Sequence, residues 1–589
     1  MRMTRFKYFD EDALELLTII LVVSGILLGF KINYLFFIMS AAAVIFMVIY
    51  IRIRTIRTVK KHKEKIRDLW GKRHKHERSF SDIIKLFLFI KESNDNHIYL
   101  VDDTTWNDLD MDFVFTEVDH TVSIAGSQYL YHLLRTPVFD DKLLLERAYI
   151  VNRFLKNENT AQLLQYHLLN IGNAEDVSFK IFRKGSEANR KLLILYRILG
   201  YIIIPEVIIT LFFPLVGIAL LTISLFTNII IHTFNKYRIF EEISEFKYFS
   251  RLINCAKKIV ESDTEGIEIN QREIKYLVQK LKKISRNLSL ISFGTGITKT
   301  EIEAFGEIIN AMFLIEPIVF YNTMDLINRH KNELIKLHIL IGRIDALIAM
   351  ASYKKSLDYY AEPKLAPNSS DGKIKHFIET KNIYHPLLKE PVPNSFKLKK
   401  RGAIITGSNA SGKSTFLKTV GVNAIFAQSM FFTFSKFYHS SYFKIFTSIG
   451  TTDNLIEGES YFMVEARLLK RIIDGESENI TVLCILDEIF RGTNTIERIS
   501  AGIEVLRYLT SRNFCIIAAT HDLELANLSK GFCENYHFRE EITGKDIIFG
   551  YVLHRGVCKT KNAIKILKNM GYPEEIYKGA INFGKKFQF

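Results

Sequence analysis

The chain has 589 residues, a length that predicts two to four domains. Its 48% hydrophobic and 24% charged residues favour a folded body with membrane-embedded segments. The formal charge is +15, but residues 52–78 alone hold twelve Lys and Arg against three Asp and Glu. The rest of the chain therefore has an excess of only six positive charges. The global charge is weak support for nucleic-acid binding. The five cysteines are scattered without metal-ligand spacing, which favours reduced thiols.

Two apolar runs open the chain. Leu16–Phe30 and Tyr34–Ile51 each approach the roughly 17–25 residues that a helix needs to cross a bilayer. They predict a transmembrane hairpin over 1–52. A signal peptide is disfavoured because a second run follows at once without a small-residue cleavage site. A buried soluble hairpin is the other alternative, although neither run has a polar face.

A basic stretch, 52–78, follows this hairpin. Arg2, Arg5 and Lys7 precede the hairpin, so the positive-inside rule predicts that both flanks of the hairpin are cytoplasmic. The stretch suits anionic lipid headgroups or nucleic acid, and its place beside the apolar runs favours membrane lipid as its partner.

A second apolar block, Ile198–Ile231, contains Glu206 as its one charge and is interrupted by Pro205 and Pro214. Two passes that meet near Pro214 keep both flanks on the cytoplasmic side, whereas one pass would separate the rest of the chain from the basic stretch. The prediction is therefore four passes in all and a multi-pass membrane location. Glu206 is costly in lipid and should face a helix partner or an interface.

The middle of the chain is predicted to be mostly helical. Helices are expected at Asp141–Lys156, at Ile267–Ile284 and within Glu301–Met350, because apolar residues recur there at helical spacing. Ala361–Lys373 is rich in Pro, Ser, Asn and Gly, and it predicts a linker before a C-terminal domain.

A phosphate-binding motif follows a short apolar strand, Gly402–Thr406, and a helix is predicted from Phe416 onward. The motif fits G-x-x-x-x-G-K-[ST]. Its residues are Gly407, Ser408, Asn409, Ala410, Ser411, Gly412, Lys413, Ser414 and Thr415. Glycines let backbone N–H groups surround phosphates, and the helix N-terminus adds its positive end. Lys413 is expected to reach the β- and γ-phosphates of a nucleotide and Ser414 to bind Mg²⁺. A chance match is the alternative that this strand–loop–helix context disfavours.

Two further apolar runs each end in polar side chains. Ile480–Leu486 predicts a buried parallel strand that ends at Asp487 and Glu488, which would organise Mg²⁺ and activate the attacking water. Phe514–Thr520 ends at His521, which is placed either to sense the γ-phosphate or to make a local hydrogen bond. Three such strands predict an α/β nucleotide-binding domain.

The sequence motifs of this domain resemble those of the MutS family of DNA mismatch-repair ATPases. The similar segments are GSNASGKST at 407–415, GESYFMVE at 458–465, LDEIFRGTNT at 486–495, ATH at 519–521, YHP at 384–386 and VPN at 392–394. A weaker resemblance to the start of the family's helical core covers 112–154. Ser408 and Ala410 replace residues that are usual in the family's loop.

The resemblance implies an ABC-type P-loop ATPase domain that follows a helical core with levers. It implies ATP and Mg²⁺ as ligands, His385 near the adenine, and a homodimer formed through the ATPase domains. Ser460 then takes the place of the serine that reaches the partner's ATP. It also implies DNA as a partner of the helical arms.

Several departures count against mismatch recognition. Only about 110 residues precede the core region, the levers look short, and Phe115-Thr116-Glu117 falls inside the core, where a match to the mismatch-reading motif is a coincidence. The exporter signature LSGGQ is absent, which counts against a transport ATPase. The predicted function is a membrane-tethered, ATP-hydrolysing dimer with ATP-dependent DNA binding, and the alternative is a transport or signalling ATPase that does not bind DNA.

The predicted segments are a first hairpin (1–52), a basic linker (53–110), a first core part (111–190), a second hairpin (191–238), a core and lever region (239–372) and an ATPase domain (373–589).

Overall fold

The structure is a computed structural model that describes most of the chain. Its described residues are 32–75, 78–93, 99–172, 190–262, 270–289, 308–366, 376–398, 401–408, 411–450, 461–543, 546–557 and 571–586, with the isolated residues 21, 24, 25, 29 and 179. The predicted run Leu16–Phe30 lies outside these residues apart from four isolated positions.

Up to Lys355, the regular elements of the described chain are helices. They are α1 (Phe36–Leu69), α2 (Phe80–Ile83), α3 (Lys85–Ser93), α4 (Asp103–Asp108), α5 (Met111–Val118), α6 (Ile124–Arg135), α7 (Asp141–Lys156), α8 (Glu158–Leu169), α9 (Arg190–Tyr201), α10 (Ile203–Phe212), α11 (Pro214–Arg238), α12 (Phe240–Glu261), α13 (Gln271–Lys280), α14 (Lys282–Leu288), α15 (Ile315–Arg329) and α16 (Lys331–Lys355). The prediction of a mostly helical middle region is confirmed, and α7 has the predicted bounds.

The C-terminal part is an α/β domain with two sheets. Its elements are β1 (Lys364–Ala366), β2 (Ile378–Ile383), β3 (Asn394–Leu398), β4 (Gly402–Thr406), α17 (Lys413–Ser429), β5 (Phe437–Ser441), β6 (Phe443–Ser448), α18 (Tyr461–Asp474), β7 (Thr481–Asp487), α19 (Thr495–Ser511), β8 (Phe514–Thr520), α20 (Leu523–Leu528), a 3₁₀ turn (Ser529–Gly531), β9 (Cys533–Thr543), β10 (Asp546–Arg555) and α21 (Glu574–Lys586). The larger sheet has the order β10-β9-β4-β8-β7-β6, and the smaller has the order β1-β5-β2-β3. All pairs in the larger sheet are parallel except β10 with β9.

Helix α1 joins an apolar segment to a basic one without a break. It begins at Phe36, inside the second predicted membrane run, and continues through the basic stretch to Leu69. The boundary predicted at 52 therefore lies inside a helix. The reason is local, since Lys and Arg are good helix formers and no Gly or Pro interrupts the segment.

Helices α9 to α11 form a hairpin whose side chains are arranged inside out. Two spans, 190–212 and 214–235, are long and apolar enough to cross a membrane, and only 22% and 11% of their apolar windows are buried inside the protein. The chain turns at Phe213, next to the predicted Pro214. Leu215 is 88% exposed, whereas Glu206 and Asn228 are buried between the helices.

Polar contacts hold this hairpin together internally. The Ser224 hydroxyl donates to Glu206 Oε1 at 2.7 Å, so Glu206 faces a helix partner as predicted. The Asn228 amide donates to the Leu199 and Met312 carbonyls at 3.0 and 2.7 Å. A polar interior with an apolar exterior is the reverse of a water-soluble hairpin.

The helical part packs directly on the α/β domain. One cluster of buried apolar side chains extends from Trp70 through α6 and α16 to Phe538 on β9. The Tyr99 hydroxyl donates to the Ile445 carbonyl on β6 at 2.8 Å, and Lys418 on α17 pairs with Asp110 at 2.6 Å. Helices α18, α19 and α20 cover the opposite face of the larger sheet with a second cluster.

The predicted linker is in part a strand. Residues 364–366 form β1, which pairs in parallel with β5, and Ala361 bridges Thr433. The segment forms a strand despite its Pro and Asn composition, because the edge of β5 offers hydrogen-bond partners to its backbone N–H and C=O groups. The rest of the predicted linker, 367–373, lies outside the described residues.

Candidate functional site

Three adjacent strands bring the predicted polar residues to one edge of the larger sheet. Gly402–Thr406 and Phe514–Thr520 are strands with the predicted bounds, and the third strand is shifted by one residue to Thr481–Asp487. Strand β8 lies between β4 and β7, with Thr406 opposite Thr520 and Asp487 opposite Ala519. Because the strands are parallel, their carboxyl ends meet at the same edge.

The loop after β4 has the shape of a phosphate cradle. Gly407 has φ +150° and Gly412 has φ +98°. A Cβ on Gly407 would lie 2.8 Å from the Ser411 hydroxyl oxygen and 2.9 Å from the Phe538 carbonyl oxygen, so the loop requires glycine there. Helix α17 begins at Lys413, three residues before the predicted Phe416, which places its N-terminal N–H groups at the loop.

Lys413 folds back over this loop. Its ammonium donates to the Gly407 and Ser408 carbonyls at 2.7 and 2.8 Å. Burial lowers the pKa of Lys413, although the Asp487 and Glu488 carboxylates oppose that shift. The ammonium therefore donates its hydrogen bonds to neutral backbone carbonyls. An anion in the loop would accept a stronger hydrogen bond from it than these carbonyls do.

Ser414 and Asp487 form a direct pair at the end of β7, with the Ser414 hydroxyl donating to Asp487 Oδ2. A hydroxyl and a carboxylate are oxygen ligands of the kind that Mg²⁺ takes together with waters and phosphate oxygens. This donor set fits the predicted Mg²⁺. No group of three or more His, Cys, Asp or Glu side chains suited to a metal occurs within the described ranges.

Glu488 is held by a histidine, an arginine and its own backbone. Its φ of +66° is unusual for a side chain of this size, and its N–H donates to the Ala519 carbonyl at 2.9 Å. The carboxylate accepts from His521 Nε2 at 2.6 Å and from Arg491 Nε at 2.7 Å. Burial alone would raise the pKa of Glu488, but the His521 hydrogen bond and the charges of Arg491, His521 and Lys413 hold it below its ordinary value.

His521 connects the phosphate loop to Glu488. Its Nδ1 lies 3.0 Å from the Gly407 carbonyl, and its Nε2 lies against the Glu488 carboxylate. His521 therefore contacts both the phosphate loop and the predicted base, and its sensing role stays a prediction.

A cavity of about 340 Å³ opens on the other side of the loop. Its lining includes His385, Val392, Gly412, Phe416 and Tyr551. The volume suits a purine ring with its sugar. Burial lowers the pKa of His385 to about 4, and its Nε2 is buried without a hydrogen-bond partner among the described residues. A neutral imidazole with an unused nitrogen fits the predicted place beside the adenine.

The same region matches a known family. A family model described as MutS domain V matches residues 403–588, which include β4, the phosphate loop, β7 and β8. Residues 403–588 therefore belong to the MutS domain V family.

DNA mismatch repair proteins are similar to about half of this chain. The DNA mismatch repair protein MutS of Thermotoga petrophila is 31% identical over 271 residues, which cover 44% of this chain and 33% of that protein. The corresponding protein of Aquifex pyrophilus is 30% identical over 335 residues, or 55% of this chain and 38% of that protein. The chain thus spans about a third of the length of the curated relatives that it matches.

Three of the predicted site residues have no described position. Asn409, Ala410 and Ser460 lie outside the described residues. The segment before Ser460 starts from a fixed point, because Asp108 accepts from the Thr447 hydroxyl at 2.7 Å and from the Ile449 and Gly450 N–H groups at 3.0 Å. Helix α18 begins at Tyr461, directly after Ser460.

Residues that the sequence motifs did not identify complete the site. Glu540 on β9 accepts a hydrogen bond from the Ser408 hydroxyl. Arg498 on α19 pairs with Asp522 through two bonds of 2.8 and 2.9 Å, which fixes the residue after His521. Both contacts join distant parts of the chain, and no local spacing signals them.

The positions of Phe115 and Glu117 agree with the prediction that their match to the mismatch-reading motif is a coincidence. Phe115 is 1% exposed within the main core, and Glu117 faces Arg73 and Lys75 at 3.8 and 3.4 Å. A buried ring cannot stack on a base, so these residues supply no mismatch-reading element.

Proposed function

We propose that this chain binds ATP with Mg²⁺ and hydrolyses it. The observation that carries the proposal is the meeting of the Ser414–Asp487 pair and the Glu488–His521 pair at the mouth of one phosphate loop. Relatives named as DNA mismatch repair proteins support it through the matched domain. The adenine side is supplied by the cavity that His385 lines.

Each site residue has a distinct task in the proposed reaction. Lys413 exchanges its loop carbonyls for β- and γ-phosphate oxygens, and Ser414 and Asp487 hold Mg²⁺, which would neutralise developing phosphate charge. Glu488 accepts the proton of the attacking water, which its lowered pKa permits because the carboxylate is ionised at neutral pH. His521 orients Glu488 and keeps it beside the loop.

A substitution at Glu488 tests this assignment. Glu488→Gln should lower the turnover number by roughly 10²-fold to 10⁴-fold, the usual contribution of a general base, and leave ATP affinity within a few-fold of wild type. Glu504→Gln is the matched control, since Glu504 is an exposed carboxylate on α19 that pairs only with Arg507 among the described residues. Steady-state hydrolysis and equilibrium nucleotide binding provide the two readouts. Wild-type turnover in Glu488→Gln would exclude Glu488 as the base.

The membrane location is also proposed. Helices α9 and α10 span 23 residues and therefore about 34 Å, enough for a hydrocarbon core of about 30 Å. Their apolar side chains face outward, and the carboxylate of Glu206 faces inward. The basic half of α1 supports anchoring at an anionic lipid surface.

DNA is the proposed partner of the helical arms, and a transport or signalling ATPase without DNA is the second candidate. One observation favours DNA. Helices α13 and α14 expose six basic side chains and carry Glu273 as their single acidic residue. These six are Arg272, Lys275, Lys280, Lys282, Lys283 and Arg286. A row of cations on one arm suits a phosphate backbone.

Salt-dependent binding separates the two candidates. The full chain in detergent should bind duplex DNA, and log K should fall as log salt rises. The triple variant Lys282→Gln, Lys283→Gln, Arg286→Gln should make this negative slope shallower by about 2.7. The matched control neutralises three exposed lysines of α1, namely Lys60, Lys61 and Lys63. If the wild-type chain binds no DNA at low salt with or without ATP, the second candidate replaces the first. If only the α1 variant loses binding, the arm is not the contact.

A further inference from the structure

A second cavity lies far along the chain from the nucleotide residues. Its volume is about 180 Å³, and it lies where the C-terminal end of α1 meets α8 and the helical core. His62, Lys65 and Trp70 come from α1 and its cap, Gln165 comes from α8, and Ser352 comes from α16. It shares no lining residue with the cavity beside the phosphate loop.

The wall of this cavity is basic. Lys65, His62, His74 and Arg78 line it, and no Asp or Glu is among its lining residues. Arg78 is committed to Asp119 at 3.3 Å, whereas Lys65 pairs with no carboxylate within the described ranges. Burial, followed by the charges of Lys65 and Lys61, lowers the pKa of His62. Burial is the larger cause of this shift, and the two lysine charges add to it.

Two buried polar atoms of the lining, one on the cap of α1 and one on α8, have no hydrogen-bond partner among the described residues. They are the Trp70 indole Nε1 and the Gln165 amide Oε1, on side chains that are only 7% and 5% exposed. An unsatisfied buried donor or acceptor costs roughly 1–3 kcal/mol, so native proteins rarely leave one without a ligand or water. One atom donates and the other accepts, which sets the chemistry of the missing partner.

We propose that this cavity binds a small soluble phosphate ester that carries a hydroxyl group. Lys65 and the Trp70 N–H hold the phosphate, and a ligand hydroxyl donates to Gln165 Oε1. The cavity is smaller than the roughly 300 Å³ at which pockets for drug-sized molecules begin, so it suits a phosphate on a short sugar or polyol.

The position along α1 favours a free ester over a lipid headgroup. The apolar part of α1 ends near Ile51, and Trp70 follows 19 residues later. At 1.5 Å per helical residue the cavity lies about 28 Å beyond the apolar segment, which is too far for a headgroup in the adjoining leaflet. A ligand here would join the long helix to α8, where Lys63 already lies 5.1 Å from the Tyr166 ring centroid.

Calorimetric titration of the full chain in detergent tests the site. The probes are inorganic phosphate, glycerol 3-phosphate and ribose 5-phosphate, with glycerol and ribose as uncharged controls and phosphatidic-acid vesicles as the lipid arm. Lys65→Gln removes the cation, and Trp70→Phe removes the indole N–H while it keeps an aromatic ring. Lys61→Gln is the matched control, an exposed lysine of the same helix that does not line the cavity.

At least one phosphate ester should bind saturably, and Lys65→Gln and Trp70→Phe should each weaken it by about tenfold, the loss of one charge-assisted or buried hydrogen bond. Lys61→Gln should stay within about twofold of wild type. Binding to the phosphate loop would be equal in all these variants, so a failure here leaves the nucleotide site untouched. The proposal is overturned if no ester binds below about 10 mM in a Lys65-dependent way, if Lys61→Gln loses as much, or if only the vesicles bind.

Discussion

Glu488 occupies a backbone conformation with positive φ, and its carboxylate contacts His521 and Arg491. The φ of +66° turns the side chain away from the strand and toward His521 and Arg491. Strain of this kind costs on the order of 1–3 kcal/mol and persists where the surrounding contacts over-determine it. Here the contacts are two short ion pairs, and they also set the protonation state of the proposed base.

The pH dependence of hydrolysis should therefore respond to His521. Protonated Glu488 cannot accept a proton, so activity falls as pH drops through the pKa of Glu488, which lies below its ordinary value. His521→Ala removes the hydrogen bond that lowers this pKa and leaves the burial that raises it. The acid limb of kcat/KM against pH should move to higher pH, and the plateau should fall by roughly 10²-fold.

A second histidine provides the control for this profile. His537 on β9 contacts the Gly556 carbonyl at 2.9 Å and no nucleotide-site residue among its described contacts. His537→Ala should keep the wild-type acid limb. An unchanged acid limb in His521→Ala, with only a lower plateau, would mean that His521 acts on phosphate alone and does not tune Glu488.

The sequence predicted those site residues whose roles depend on a short motif. Gly407, Lys413 and Ser414 belong to one loop, and Asp487 and Glu488 end one apolar strand, so local pattern and strand order were enough. It did not predict the partners that come from distant segments, such as Glu540 against Ser408, 132 residues away. Such contacts depend on the tertiary fold, which one sequence does not encode as a visible spacing.

At the scale of elements, strands were predicted more accurately than the connections between them. An apolar run buried on both faces has few alternatives, so β4 and β8 have their predicted bounds. The boundary at 52 and the linker at 361–373 were placed by composition. Composition gives no account of a helix that continues into basic residues or of a strand edge at β5 that binds a polar segment.

The segment between β6 and α18 carries the prediction that belongs to this scale. Asp108 accepts hydrogen bonds from the Ile449 and Gly450 N–H groups before this segment, and helix α18 begins at Tyr461 after it. If Ser460 completes the partner's site, Ser460→Ala and Lys413→Ala should each be inactive alone and complement when mixed. Half of the randomly formed dimers are then mixed, and each has one working site, so about a quarter of wild-type hydrolysis should return.

Complementation has a clear control and a clear contradiction. Mixing Ser460→Ala with a subunit that carries both Ser460→Ala and Lys413→Ala should restore nothing, because no subunit then supplies the serine. Full activity of Ser460→Ala alone would exclude the shared site. Loss of activity that mixing fails to rescue would place Ser460 in its own subunit's site.

At the scale of the whole molecule, the ATPase domain and the apolar hairpin belong to one body. The buried core that begins at Trp70 extends to β9, and α9 contacts α15 just before the long helix that leads to β1. The α/β domain and the helices that border the hairpin therefore share one buried core.

The membrane position can be tested with single cysteines in intact cells. The native cysteines within the described ranges, Cys255, Cys484, Cys515 and Cys533, are buried and should not interfere. Leu215→Cys lies at the tip of the hairpin, where the side chain is 88% exposed, and a complete crossing puts it on the outer side.

A membrane-impermeant maleimide added outside should therefore label Leu215→Cys before the cells are permeabilised. Tyr149→Cys, at an exposed position on α7, should be labelled only afterwards because the helical core is proposed to be cytoplasmic. If both cysteines require permeabilisation and carbonate washing releases the chain, the hairpin does not cross a bilayer. Its outward apolar face would then need another protein as its cover, since lipid and protein are the two surroundings that can bury it.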